Sequence, residues 1–249
     1  MPVSTDSVPI QNRLLAALPA NEYQRLVPHL ELVKLSLHQV LYEPNEPITH
    51  VYFPHQAVAS LVTSMEDGST IEVGLVGSEG MVGIPVILGG NMTNNRAYVQ
   101  VPGGAMRMNA NILKTEFNRA GELQTLLLRY CQALLTQVSQ SAACNRFHTI
   151  EKRLARWMLL VQDSVGSDEF ALTQEFIAQM LGTRRSGVTE AAGTLQQAGM
   201  LRYTRGKITI VNREALEATA CECYRVISDE FARLLTNQPE SDSKSTTHH

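Results

Sequence analysis

LTQEFIAQMLGTRRSGVTEAAGTLQQAGMLRYTRGKITIVN, Leu172–Asn212, is the stretch on which the reading of this chain turns. Thr173 stands just ahead of QEFIAQML, where its hydroxyl can accept a hydrogen bond from the free amides of a first helical turn. Phe176, Ile177, Met180 and Leu181 make one apolar side, and Gly182 marks an end that a left-handed glycine closes at little steric cost. A second helix is expected from Arg185 or Ser186, with Val188, Ala191, Ala192, Leu195 and Ala198 on its inner side and Gly199 at its end. Two short helices about a glycine turn form the helix-turn-helix pattern, in which the second helix offers its N-terminal residues to a major groove. MLRYTRGKITIVN then alternates apolar and polar residues about Thr204, Arg205 and Gly206, which predicts a two-stranded wing with Arg205 and Lys207 at its tip.

The net charge of −3 would discourage nucleic acid if it were evenly spread. It is not. Residues 1–117 carry six basic side chains against ten acidic ones, about −4, whereas residues 184–213 carry Arg184, Arg185, Arg202, Arg205, Lys207 and Arg213 against Glu190 alone, about +5. Arg185, Ser186, Gly187, Thr189 and Glu190 are the expected base or groove contacts. Arg184, Thr173, Gln174, Arg205 and Lys207 are the expected phosphate contacts. Small residues at Ser186 and Gly187 are expected to let the helix come close to the duplex.

Working outward, the fold class is α+β. Residues 26–90 hold short apolar runs broken by Pro, Gly, Asn and Asp at intervals of about ten, as in a small β-barrel or roll, and Ala57–Ser64 and Thr70–Val76 read as a hairpin about Glu66–Gly68. A glycine-rich loop, GSEGMVGIPVILGG, leads to a strand with Arg96 near its start. Leu123, Leu126, Leu127, Tyr130, Leu134 and Val138 then recur on one side of a long helix, and that stripe is covered either by the roll or by the same helix of a second chain. Dimerisation is the preferred reading. HTIEKRLARWMLLVQDSV makes a further helix ending at Gly166 that opens the core of the second domain. The expected divisions are an extension at 1–18, a roll at 19–117, a dimerisation helix at 118–146, a winged helix-turn-helix at 147–236 and a disordered polar tail at 237–249. No apolar run suits a membrane span and no secretory signal opens the chain, so a cytoplasmic protein with reduced cysteines is expected.

Leu172–Asn212 resembles the winged helix-turn-helix of the Crp/Fnr family of bacterial transcription regulators, and the order of roll, long helix and winged helix is similar to that family over roughly residues 20–235. The resemblance implies a cyclic-nucleotide-binding-like double-stranded β-roll, a homodimer on two-fold symmetric double-stranded DNA, and contact with RNA polymerase. In its best-known members the recognition helix reads serine, arginine, glutamate, threonine, valine, any residue, arginine. Here the run is Arg184, Arg185, Ser186, Gly187, Val188, Thr189, Glu190: the first arginine is kept as Arg185, but the glutamate has become Ser186 and the second arginine Glu190, so an altered operator is expected.

In the members that bind cyclic AMP, a glutamate after a glycine holds the ribose and an arginine–serine pair holds the phosphate. Here Gly83 is followed by Ile84 and Pro85, and Arg96 by Ala97. Gly83, Arg96 and Ala97 are thus the positions of a degenerate effector pocket not tuned to cyclic AMP. Arg96 either marks a buried anion site or pairs with Glu72 or another carboxylate. The iron–sulfur branch needs cysteines near the N-terminus, and none precedes Cys131, so no cluster is expected. Cys221 and Cys223 form a Cys-x-Cys pair that Cys144 could join, but the spacing matches no zinc motif, and no metal ligand is assigned. Neither a nucleophile elbow nor a phosphate-binding loop is present, so no catalytic constellation emerges. The competing function is a nucleotide-binding module that signals through a protein partner.

Overall fold

The computed structural model describes residues 11–204 and 206–235. Arg205 and the tail from Asn237 lie outside them. In chain order the elements are α1 (Arg13–Ala16), α2 (Ala20–Leu26), β1 (Glu31–Leu35), β2 (Val40–Tyr42), β3 (His50–Pro54), β4 (Val58–Ser64), β5 (Thr70–Val76), β6 (Arg96–Val101), β7 (Gly103–Asn109), α3 (Ala110–Phe117), α4 (Glu122–Phe147), α5 (Ile150–Val165), β8 (Glu169–Ala171), α6 (Gln174–Met180), α7 (Arg185–Gln197), β9 (Leu201–Thr204), β10 (Lys207–Ile210), α8 (Arg213–Thr219) and α9 (Cys223–Leu235).

Two antiparallel sheets make the roll, one ordered β1-β7-β3 and the other β2-β6-β4-β5. The hairpin β4–β5 forms where the alternation placed it, Ser64 opposite Thr70, with Asp67 accepting from the Ser69 amide in the turn. Inward side chains such as Leu35, Phe53, Met81, Val99 and Met108 fill the roll in one cluster with Leu14 and Leu15 of α1. The expected N-terminal extension is therefore anchored from Asn12 on: that buried amide donates 2.9 Å bonds to the carbonyls of Pro54 and Gly80.

The long helix α4 runs further than its apolar stripe foretold. Glu22 of α2 accepts from the amides of Glu122 and Leu123, supplying the cap that Gly121 cannot. The stripe Leu123, Leu126, Leu127, Tyr130 and Leu134 is buried by its own chain, in one cluster with the roll and with Ile227 and Phe231 of α9. A different face is left open: Leu128 and Leu135 are exposed, seven residues apart, with half-buried Cys131 and Val138 between and beyond them.

The second core joins α5, α6, α7 and the small sheet β8-β10-β9 to Val58, Val62, Leu75 and Val101 on the outer face of the roll. The wing is thus three-stranded, because β8 adds to the two strands the alternation predicted. At this junction Glu72 of β5 is buried, taking hydrogen bonds from Trp157 Nε1 at 2.8 Å and Ser60 Oγ at 2.7 Å. Gln100 Nε2 has no partner while its Oε1 faces Ser60 Oγ at 2.5 Å; an amide flip lets Gln100 donate to the hydroxyl that Glu72 accepts from.

Candidate nucleic-acid interface

The Thr173 hydroxyl accepts from the Phe176 amide at 3.2 Å and starts α6. After α6, Gly182 turns left-handed at φ 56°, and a Cβ there would come within 2.6 Å of Ile71 Cδ1 on β5. The left-handed conformation favours glycine here, and any side chain would also have to displace the tip of Ile71. Gln179 Nε2 donates to Thr70 Oγ1, and the Phe176 ring lies against His38 and edge-on to Tyr98. The helix-turn-helix rests on the roll through these contacts.

Arg184 occupies the N-cap position of α7, and no side chain accepts from the first amides of this helix. Arg185 and Ser186 follow, exposed. Uncapped amides at the start of a 13-residue helix carry partial positive charge, and two guanidiniums stand beside them. Among the described residues neither arginine forms an ion pair with a carboxylate. Phosphate, or the acceptor edge of guanine, is the chemistry that such a surface binds.

The remaining predicted residues divide. Glu190 is exposed one turn along the same helix. Thr189 Oγ1 lies 2.8 Å from Gln174 Oε1 and 3.0 Å from the Arg185 carbonyl, so Thr189 and Gln174 brace α6 against α7. Gly187 faces inward: a Cβ would sit 2.8 Å from Ile150 Cδ1 of α5, and packing within the chain explains the glycine without a duplex. Ala198, read as an inner residue, is exposed at the C-cap of α7. Lys207 pairs with Glu169 Oε2 of β8 at 2.5 Å, a partner brought beside it by the third strand. That pairing holds the Glu169 carboxyl below its usual range. Arg205 lies outside the described residues. Arg202, exposed on β9, was passed over as a contact although its outward position followed from the alternation.

In the roll, Gly83 is left-handed at φ 110° with its open side against Val51, and Ala97 is fully buried. Arg96 is half-exposed and forks onto Glu43, Nε at 2.7 Å and Nη2 at 2.9 Å. The carboxylate partner is Glu43 of the β2 end, since Glu72 is committed to Trp157 and Ser60. A cleft of about 200 Å³ beside Arg96 is lined by His38, Ser64, Thr70, Tyr98 and Phe176, between the roll and α6.

The Cys-x-Cys pair is joined by Cys144, and by His148, which the spacing did not suggest. Cys144 and His148 at the end of α4 meet Cys221 and Cys223 at the start of α9. The four are drawn from positions 77 residues apart, which is why spacing gave no signal.

Residues 152–219 match the Crp-like helix-turn-helix domain family. The global nitrogen regulator of Synechocystis sp. is 22% identical over 215 residues, covering 83% of this chain and 95% of that protein. Among solved structures, FixK2 from Bradyrhizobium japonicum superposes with a TM-score of 0.66 at 16% identity, covering 77% of this chain and 98% of that one. A transcriptional regulator of the CRP family from Thermus thermophilus gives 0.62 at 18%, covering 76% and 96%. The chain thus carries a Crp-like helix-turn-helix domain at residues 152–219 and shares its overall fold with solved regulators of the Crp/Fnr family. No helix among the described residues is long and apolar enough to cross a membrane.

Proposed function

We propose that this Crp/Fnr-type chain is a homodimeric, sequence-specific regulator that reads a two-fold symmetric duplex through α7 and meets RNA polymerase at promoters. The observation that carries this is the start of α7, where free amides and two arginines without carboxylate partners face solvent. Arg185 is assigned to base edges, with Ser186 and Glu190 lining the same groove, and Arg184 to phosphate. The exposed face Leu128, Cys131, Leu135 and Val138 of α4, apolar at heptad spacing, is assigned to the second copy. Half-sites one helical turn apart then follow from the dimer.

The roll is the sensor in this reading, but its effector is not cyclic AMP. Arg96 is already neutralised by Glu43, Ala97 offers no hydroxyl, and Ile84 and Pro85 offer no ribose acceptor. An effector shifts the balance between the arrangement in which α6 rests on the roll and one in which it does not.

The test is binding of the full chain to duplexes selected from a random pool, followed by fluorescence anisotropy at rising salt with the stoichiometry measured. Two chains per palindromic site and an affinity that falls steeply with salt are expected. Binding by single chains, or no duplex selected above background, would remove the DNA reading in favour of a module that signals through a protein partner.

A further inference from the structure

We propose that Cys144, His148, Cys221 and Cys223 form a closed, structural zinc site that joins the end of α4 to the start of α9. The donor atoms of all four lie within 4.8 Å of one another. Cys144 Sγ and Cys221 Sγ are 3.4 Å apart, and Cys223 Sγ and His148 Nδ1 are 3.6 Å apart. Around a tetrahedral ion with Zn–S of about 2.3 Å and Zn–N of about 2.0 Å, neighbouring ligands lie roughly 3.5–3.8 Å apart. The set is therefore spaced for one ion, and a Cys3His donor set leaves that ion no open position. Soft thiolates with an imidazole select zinc over magnesium or calcium, which take oxygen.

Three features outside the donor atoms fit. All three cysteines are buried and pack against one another. His148 turns its Nδ1 toward Cys223 and its Nε2 toward Glu222 Oε1 at 3.4 Å, the carboxylate–histidine arrangement that fixes a ligating imidazole. Arg153 and Arg156 of α5 are buried with their Nε atoms unpartnered; an Nη of Arg153 donates to the Leu181 carbonyl and Arg156 Nη1 to Ser141 Oγ at 3.3 Å, neither forms a salt bridge among the described residues, and the charge of Arg156 also reaches Glu72. Arg156 is in electrostatic range of Cys144 and Cys223, and Arg153 of Cys144 and Cys221. A buried guanidinium needs a counter-charge. Three thiolates and a divalent ion sum to one negative charge, which offsets part of the charge of this pair.

The site also has a position worth holding. His148 is the residue after α4 and Thr149 holds the N-cap position of α5, so the ion would fasten α9 onto α4 at the joint from which the helix-turn-helix domain departs. On binding, each cysteine ligand gives up its thiol proton to solvent and forms a bond to the metal, with no change of oxidation state.

The experiment uses the full chain, purified without chelator, with metal measured by mass spectrometry and Co²⁺ alone then titrated into chelator-stripped protein under reducing conditions. About one zinc per chain is expected, and a cobalt spectrum with intense sulfur-to-metal charge transfer and tetrahedral visible bands. Cys221→Ser and Cys223→Ser should lose the metal, Glu222→Gln should weaken it about 10- to 100-fold, and Cys131→Ser, outside the cluster, should keep it. Zinc far below one per chain, an octahedral cobalt spectrum, or full retention by Cys221→Ser would overturn the proposal. So would a wild-type mass lighter by two hydrogens under reducing conditions, because Cys144 and Cys221 would then be a disulfide. The wild-type spectrum decides the matter even if a variant fails to fold.

Discussion

Arg96 in the roll and Arg185 on α7 are both arginines at positions where the family resemblance implies an anion, and their surroundings differ. Arg96 is forked onto Glu43, so a phosphate arriving there must displace a carboxylate. Arg185 stands beside uncapped helix amides with no carboxylate partner. The difference teaches that the sequence position of a cation is weaker evidence for a ligand than the state of its charge. An unpaired cation in a positive field has work left to do; a neutralised one does not.

The largest expected effect lies where these two regions meet, at Glu72. Burial raises its carboxyl to about 7, opposed by hydrogen bonds from Ser60 and Trp157 and by the charge of Arg156. The folded chain then holds that proton more tightly than the unfolded chain, whose ordinary value is 4.5. Stability therefore falls as pH rises from 4.5 to about 7 and stays lower above that window. Glu72→Gln keeps an acceptor for Trp157 and removes the charge, so the variant should lose this slope and gain up to about 3 kcal/mol at pH 8. Trp157 is the only tryptophan, and its fluorescence during urea unfolding at pH 5.5 and pH 8 reads both states directly. Identical pH dependence in the two proteins would show that Glu72 is ionised throughout and that the joint has no proton linkage.

The comparison of the arginines is broken or kept by a pair of variants. Arg185→Ala should cost on the order of 1 to 3 kcal/mol on a selected site, about 10- to 100-fold, with little change on random duplex. Arg96→Ala removes a half-exposed ion pair and should change stability by under about 1 kcal/mol and DNA affinity not at all. Anisotropy on both duplexes checks each. Equal losses for the two variants would mean that the roll, not α7, holds the anion.

Much of the reading head was legible because its signals are local. Thr173 and Gly182 lie within ten residues of the helices they start or stop, and the alternation about Gly206 names its own hairpin. What was hidden depends on distant partners. Glu43 is 53 residues from Arg96, and Cys221 is 77 from Cys144. The stripe on α4 was visible, but periodicity reports only that a face is apolar, and it is the roll and α9, nearly a hundred residues on, that cover it. Gly187 has a second reason to be small that no local signal carries, since a Cβ there would press on Ile150 of α5.

A smaller effect is expected at Glu190, where the family pattern has an arginine. Exposed on α7 one turn from Arg185, its carboxylate disfavours phosphate and can accept only from a base donor such as the cytosine amino group. Glu190→Arg should raise overall affinity and move the selected base at one position per half-site. Unchanged selected sequences would place Glu190 away from the groove.

The smallest effect tests whether neutralisation operates in the wing as it does in the roll. Lys207 is engaged by Glu169, and both are about half exposed, so the pair is screened and worth little to the fold. Its consequence is electrostatic: while Glu169 is ionised, the wing offers one positive charge fewer to the phosphate backbone. The hydrogen bond from Lys207 lowers the Glu169 carboxyl, so the pairing persists at neutral pH. Glu169→Gln should therefore strengthen binding to all duplexes by a few-fold, and steepen the dependence of log affinity on log salt by about one phosphate contact's worth. Base preference should not move, because phosphate contacts carry no sequence information. Lys207→Ala should do the opposite, and the two changes together, which restore the parent's net charge, should fall between the single variants. If Glu169→Gln leaves the salt dependence untouched, Lys207 does not lie along the backbone, and the wing's charge serves the fold instead of the duplex.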